Sequence, residues 1–265
     1  MLDRTSIQNQ LTAAYDIRLF DEVTSTNTLL KNMALEGASD GLVLIADSQT
    51  GGKGRLGRSF FSPSGTGLYI SVLLRPADME LQNALSFTTI AAVAACRAIE
   101  EVGLSRDEVK IKWVNDIYVH DRKCVGILTE SSVDAKTGKL AFAVMGIGFN
   151  VYEPEGGFPE EIREIAGALF PSGSKQNDDL RNQLAASFLN HFYAEVSRAE
   201  TKEYVNEYRA RSMVIGKPIY VLSPATGERT AATVLDITDD CALVVQYEDG
   251  KVQELSTGEV SIRFR

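Results

Sequence analysis

Histidine and cysteine are scarce in this sequence, with two of the former and three of the latter among 265 residues. Cys96, Cys124 and Cys241 are odd in number and widely spaced, so they form no disulfide framework and fit no zinc motif. They read as ordinary reduced thiols. His120 and His191 fall in a hairpin and on an amphipathic helix with no nucleophile signature nearby, and no catalytic triad is read from them. Long apolar runs are lacking too. The stretch Ile-Ala-Ala-Val-Ala-Ala-Cys at 90–96 is far shorter than a membrane-spanning helix requires. The start, Met1-Leu2-Asp3-Arg4, lacks the charged-then-apolar layout of a signal peptide. A cytoplasmic protein without a membrane partner is expected. Positive charge is in deficit, with 27 Lys and Arg against 36 Asp and Glu and a net charge of −9. That balance argues against binding nucleic acid through its phosphates, and no nucleic-acid partner is expected.

What is present suits a folded protein with a sizeable core: 44% hydrophobic and 24% charged residues. Residues 1–40 read as helical and then looped, with Ser25 or Thr26 capping a helix that holds Leu29, Leu30, Met33 and Ala34. Strands are predicted at 42–46 and 67–76, the second ended by proline. A mostly buried helix is predicted over 80–102, stopped by Gly103. Further strands follow at 109–113, 117–119, 125–129 and 140–151, with a hairpin turn over 118–123. The Gly-, Pro- and Glu-rich stretch 153–177 predicts a small helix and mobile loops. Leu180, Leu184, Phe188 and Phe192 recur at helical spacing, and a second helix is predicted over 201–211. From Gly216 the pattern becomes short strands at 219–222, 231–237, 242–247, 251–255 and 260–263, separated by turns at 223–227, 238–240, 249–250 and 257–258. This is a small all-β unit of barrel type.

Three stretches carry chemistry. The first is Gln49-Thr-Gly-Gly-Lys53-Gly54-Arg55-Leu-Gly-Arg58, followed by Phe60. Its glycines permit tight turns and close approach to a ligand, and bare N–H groups can face phosphate oxygens. No Asp or Glu occurs from 48 to 77, so the cations there are uncompensated in an acidic protein. The spacing is neither that of the Walker loop nor that of the dinucleotide fingerprint. On composition alone, a solvated basic surface loop explains it equally well. The second stretch is Lys110-Ile-Lys112-Trp-Val-Asn115-Asp116. Strand alternation puts Lys110 and Lys112 on one face and Val109, Ile111 and Trp113 on the other. A strand lysine taken alone is usually a solvated side chain. The third is Gly146-Ile-Gly148-Phe-Asn150, where glycines in a strand imply that backbone or ligand comes close.

Together with Ser25-Thr26-Asn27, Lys123-Cys-Val-Gly126-Ile-Leu128 and the tail Gly258-Glu-Val-Ser-Ile-Arg263, these motifs resemble the biotin–protein ligase family in order and spacing. The resemblance runs from about residue 20 to the end. It implies an α/β (α+β) catalytic domain over 1–214 with a mixed β-sheet and flanking helices. That domain would be similar to class II aminoacyl-tRNA synthetases and lipoate ligases, and an SH3-like β-barrel would follow over 215–265. It implies ATP and biotin as substrates with Mg²⁺, whose protein ligands the motifs do not identify. The product would be biotinyl-5'-AMP, and the acceptor a lysine of the biotin carboxyl-carrier domain of a carboxylase. By position, Ser25, Thr26, Asn27, Gln49, Lys53, Gly54, Arg55 and Lys112 would bind biotin. Arg55, Arg58, Phe60, Asn115 and Asn150 would face ATP and the adenylate. Lys112 and Arg55 would be catalytic. Three positions depart from the family habit: Lys53 stands where arginine is common, Phe60 where tryptophan is, and Val114 where proline is.

Both reactants are anions, so positioned cations can supply what adenylation needs without an enzyme nucleophile. In this reading Lys112 neutralises the carboxylate and the α-phosphate while Arg55 and Arg58 hold the phosphates. Two alternatives are a lipoate or octanoyl transferase, which shares the fold, and a biotin-dependent transcriptional regulator. The regulator is disfavoured because only about twenty residues precede the Ser-Thr-Asn motif, too few for a helix-turn-helix. A biotin-binding module without catalysis is disfavoured by the three cations in one loop. The resemblance admits a homodimer through a sheet edge, and no residue establishes one.

Overall fold

The computed structural model describes residues 1–171, 174, 179–222, 227–256 and 261–264. Its main element is a seven-stranded sheet in the order β1-β2-β3-β7-β6-β5-β4. The strands are β1 (Asp16–Val23), β2 (Leu42–Gln49), β3 (Gly67–Leu74), β4 (Val109–Lys112), β5 (Asp116–Val119), β6 (Arg122–Val133) and β7 (Leu140–Asn150). β1 and β2 run parallel, and every other neighbouring pair is antiparallel.

The two faces of the sheet are covered unequally, and this sets where a ligand can go. Side chains alternate along a strand. Val43 and Ile45 of β2, Ile70 and Val72 of β3, and Met145, Ile147 and Phe149 of β7 therefore join one large core. Helices α3 (Leu85–Glu101) and α4 (Leu180–Val196) close it with Ile90, Val93, Leu184 and Phe188. On the opposite face α2 (Thr26–Leu35) covers only part of the sheet. Its Leu30 and Ala34 meet Leu44, Leu73, Phe142 and Val144 in a smaller cluster. At the end of α2 that face carries Gly126, Gly146 and Gly148, with no side chains of their own, so other groups can approach the sheet closely there.

The short helix α1 (Arg4–Asn9) packs on α4 and β1. The reading of 1–40 as helix then loop missed β1. Asp16, Arg18, Asp21 and Glu22 crowd it, and only Ile17 is fully buried. It is an edge strand, where charge is the usual protection against further pairing, so no apolar alternation announces it. The small helix expected within 153–177 is also absent from its described part. Residues 160–165 are turns, and the segment is tied down by bridges of Lys123 with Ala166 and Tyr152 with Phe170. Residues 172, 173 and 175–178 lie outside the described ones.

Helix α5 (Glu203–Ala210) leads into the last unit. It comprises β8 (Pro218–Leu222), β9 (Arg229–Ile237), β10 (Leu243–Tyr247), β11 (Val252–Leu255) and β12 (Ser261–Phe264). The five form one antiparallel sheet in the order β11-β10-β9-β8-β12. Residues 223–226 of the turn expected at 223–227, the turn at 257–258 and the strand start at Val260 lie outside the described residues. Ile219, Val234, Ile237 and Leu243 join the large core, so the two sheets share one apolar interior. The crossing chain also extends the main sheet: the Ile111 N–H donates to Arg211 O at 2.9 Å and Met213 N–H to Ile111 O at 3.0 Å.

Candidate active site

The N-terminus of α2 lies on the glycine-bearing face. Ser25 caps it, its hydroxyl accepting from Thr28 N–H at 3.4 Å, as the sequence predicts. Thr26 and Asn27 of the first turn are buried. The Thr26 N–H donates to Gln49 Oε1 at 2.9 Å, and Gln49 Nε2 donates to Ser62 Oγ at 3.1 Å. Ser71 donates to Asn27 Oδ1 at 2.6 Å and lies 2.8 Å from the Thr26 hydroxyl. Asn27 Nδ2 donates to Leu128 O at 3.1 Å and to Glu130 Oε2 at 3.2 Å. Nearly every polar group here has a protein partner. The result is a small recess of about 30 Å³ whose lining includes Ser25, Thr26, Asn27 and Gln49.

The basic loop folds back beside it. The Phe60 N–H donates to Gly52 O at 2.9 Å and Gly54 N–H to Arg58 O at 2.7 Å, which closes residues 52–60 into a small ribbon. Its tip turns at Leu56 and Gly57, with φ of 56° and 73°. Gly52 is obligatory by contact, since a Cβ there would stand 2.4 Å from Phe60 O. The Phe60 ring then lies on the glycine floor: a Cβ on Gly148 would come within 2.6 Å of it and one on Gly126 within 2.9 Å. Gly146 admits Asn27 in the same way, at 2.0 Å from its Oδ1. The strand glycines do mark close approach, but two side chains of the protein itself occupy the space.

On the far side of Phe60 a larger cavity of about 270 Å³ opens. Lys53, Phe60, Gly126 and Leu128 line both cavities, so the two adjoin. The wall of the larger one holds five cations, Lys53, Arg55, Arg58, Lys112 and Lys123, and one carboxylate, Asp116. Lys123 Nζ lies 2.7 Å from Asp116 Oδ1, and its stem passes close to Gly126. Lys112 Nζ sits 5.6 Å above the centre of the Tyr118 ring. Arg55 Nη1 donates to Asn115 Oδ1 at 3.0 Å, while Asn115 Nδ2 donates to Ile127 O at 2.8 Å. Burial lowers the Arg55 pKa and Arg58 pushes the same way, whereas Asp116 opposes. Arginine stays protonated in proteins, so the shift measures how far this charge has left water. Asn150 Nδ2 is held by Gly167 O at 3.0 Å. Apolar Phe61, Phe158, Ile162 and Ile165 complete the wall.

All twelve residues singled out in the sequence line one or other of these cavities. Neither histidine does: His191 pairs with Glu101 at 2.8 Å and His120 faces Glu108 at 3.6 Å. Sequence reasoning did not single out Ser71, although a serine within the apolar run of β3 is a visible signal. The motif holding Lys123 and Gly126 is visible in the sequence, but nothing local assigns either residue a role.

Residues 19–150 match the family described as "Biotin/lipoate A/B protein ligase family", and residues 214–263 match "Biotin protein ligase C terminal domain". The biotin–[acetyl-CoA-carboxylase] ligase of Mycobacterium tuberculosis is 30% identical over 267 residues, covering 98% of this chain and 95% of that protein. The bifunctional ligase/repressor BirA of Bacillus subtilis is 38% identical over 159 residues, 60% of this chain and 47% of that protein. The match thus spans about half the length of that relative. Among solved structures, the biotin protein ligase from Aquifex aeolicus in complex with biotin and ATP superposes with a TM-score of 0.73 at 26% identity, covering 94% of this chain and 99% of that one.

Proposed function

The chain belongs to the biotin protein ligase family, and from that premise we propose that it activates biotin with ATP and transfers it to a lysine of an acceptor protein. The carrying observation is the pair of adjoining cavities, one mainly hydrogen-bonded with Lys53 at its edge, the other lined by five cations, with Phe60 in the wall of both. The polar recess of Ser25, Thr26, Asn27 and Gln49 suits the ureido ring of biotin, which offers one acceptor and two donors. The cationic cavity suits the triphosphate, with Lys53, Arg55 and Arg58 along it and Asn115 and Asn150 at its inner end.

A biotin carboxylate oxygen attacks the α-phosphorus, and the bond to pyrophosphate breaks. The charges that must converge are all negative, so the cations of the larger cavity lower the barrier. Lys112 and Arg55 take that role in our reading, and geometry supports adding Lys123. Its stem runs past Gly126, which lines both cavities, so its ammonium lies near the seam where carboxylate and phosphate must meet. In the second step the acceptor amine attacks the acyl carbon, AMP departs, and the amine loses a proton. The Mg²⁺ expected with ATP would be held by Asp116 once Lys123, 2.7 Å from its Oδ1, turns to the phosphates. Magnesium usually binds through one or two carboxylates plus substrate phosphates, and Asp116 is the carboxylate in the wall. Among the described residues no cluster of three or more His, Cys, Asp or Glu forms a dedicated cage. When bound, the metal would offset phosphate charge.

The acceptor we propose is the biotin carboxyl-carrier domain of a carboxylase, which the name of the mycobacterial relative supports. Incubation with biotin, Mg-ATP and such a domain should add one biotinyl mass to the acceptor. No gain with biotin but a gain with lipoate would transfer the assignment to the lipoate branch. Biotin-dependent pyrophosphate exchange by Lys112→Ala and Lys123→Ala then separates the two lysines. The one acting at the reacting groups loses about a hundredfold or more, and normal exchange in either variant removes that lysine from the mechanism.

A further inference from the structure

Tyr208 of α5 is fully buried, yet none of the steps above uses it. Its hydroxyl donates to Val114 O at 2.9 Å. Burial pushes its pKa far above the ordinary tyrosine range, so it remains a donor at any working pH. Val114 lies in the turn between β4 and β5, flanked by Trp113 and by Asn115, the residue that accepts from Arg55. The same turn is gripped from the C-terminal sheet, where Cys241 O accepts from Trp113 Nε1 at 2.9 Å. A third grip comes from β6, whose Ile127 N–H donates to Asn115 O at 2.9 Å.

α5 is itself firmly anchored. Just past its end, Arg211 donates to Glu100 Oε1 at 2.5 Å and to Glu207 Oε1 at 2.7 and 2.9 Å. Glu207 is also bonded to Arg97 of α3. Arg209 reaches the last unit through Asp239 at 2.7 Å. This partly buried charge network ties the helix to α3 and to its own C-terminal end, so the helix is a stiff base.

We infer that Tyr208 is a positioning residue for the adenylation site. With Trp113 it fixes the 113–115 turn, so that Asn115 holds the Arg55 guanidinium at the angle the phosphates require. The inference deepens the proposed function and rests on it. The relay passes through backbone and one side-chain amide, and it leaves the polar recess on α2 untouched. Losing it therefore slows adenylate formation while biotin binding stays as it was.

The test compares wild type, Tyr208→Phe, Trp113→Phe and Asn115→Ala by biotin-dependent ATP–pyrophosphate exchange and by calorimetric biotin binding. Tyr208→Phe keeps the ring and removes only the donor, so kcat should fall about three- to tenfold, the usual worth of one neutral hydrogen bond. The biotin Kd should stay within about twofold. In the Asn115→Ala background Tyr208→Phe should add nothing, since its route to Arg55 is already cut. A purely structural tyrosine would instead lower Tm and act in full in that background, which overturns the inference, as does an unchanged kcat. If Tyr208→Phe does not fold, Trp113→Phe releases the same turn from the other side and must give the same split. Wild type lacking biotin-dependent exchange defeats the proposed function itself, whereas exchange that is indifferent to both donors defeats only the relay.

Discussion

The recess at the start of α2 and the cationic cavity beyond Phe60 share residues but differ in how their polar groups are satisfied. In the recess Thr26, Asn27, Gln49, Ser62 and Ser71 bond mainly to one another, and no positive charge is needed to hold them. In the cavity five cations face one carboxylate. The first arrangement is largely satisfied within the protein and, in the proposed function, would select by shape and hydrogen-bond direction. The second gathers positive charge in one wall, which the phosphates of the proposed reaction would offset. The proposed function thus assigns selectivity and chemistry to separate walls, and substitutions should separate them experimentally.

The strongest challenge to that division is Arg55→Ala. Adenylate formation should fall about a hundred- to a thousandfold, the loss typical of one preorganised donor at a developing charge. Biotin affinity should change by less than about tenfold. Equal losses in both would mean that the two walls act as one. Gly148→Ala probes the seam. A methyl 2.6 Å from the Phe60 ring must displace it, and the biotin KM should rise about tenfold, with part of the loss recovered in Gly148→Ala/Phe60→Ala. Additive effects would show that the ring and the floor are independent. Ser71→Ala touches the recess alone, and a rise in biotin KM of about threefold to tenfold at constant kcat is expected. The mildest test is ionic strength. Raising salt from 0.05 to about 0.5 M shrinks the screening length from roughly 14 to 4 Å, so the KM for ATP should climb while biotin binding barely moves.

The parts of this site that sequence could reveal are those built by local chemistry. Ser25 caps a helix because its hydroxyl meets an N–H three residues on, a contact that needs no knowledge of the fold. The basic loop stands out because thirty residues around it hold no acid. The long helix α4 follows from spacing alone. Lys123 was beyond such reasoning, because the β5–β6 pairing shifts register between Ile117 and Tyr118. A bulge of this kind changes which face later residues meet, and alternation cannot foresee it. β1 was hidden for the opposite reason: its charges suit an edge, and only the parallel partner β2 makes it a strand. The Tyr208 and Trp113 contacts span 94 and 128 residues, and nothing in the local pattern marks them.

Phe60 forms part of the wall of both chambers. A partition cannot yield to an occupant on one side without reshaping the room on the other. If biotin, by settling this ring, tightens the hold on nucleotide by some factor, nucleotide must tighten the hold on biotin by the same factor, whichever enters first. A single aromatic side chain would then be enough to make two small-molecule affinities answer to each other.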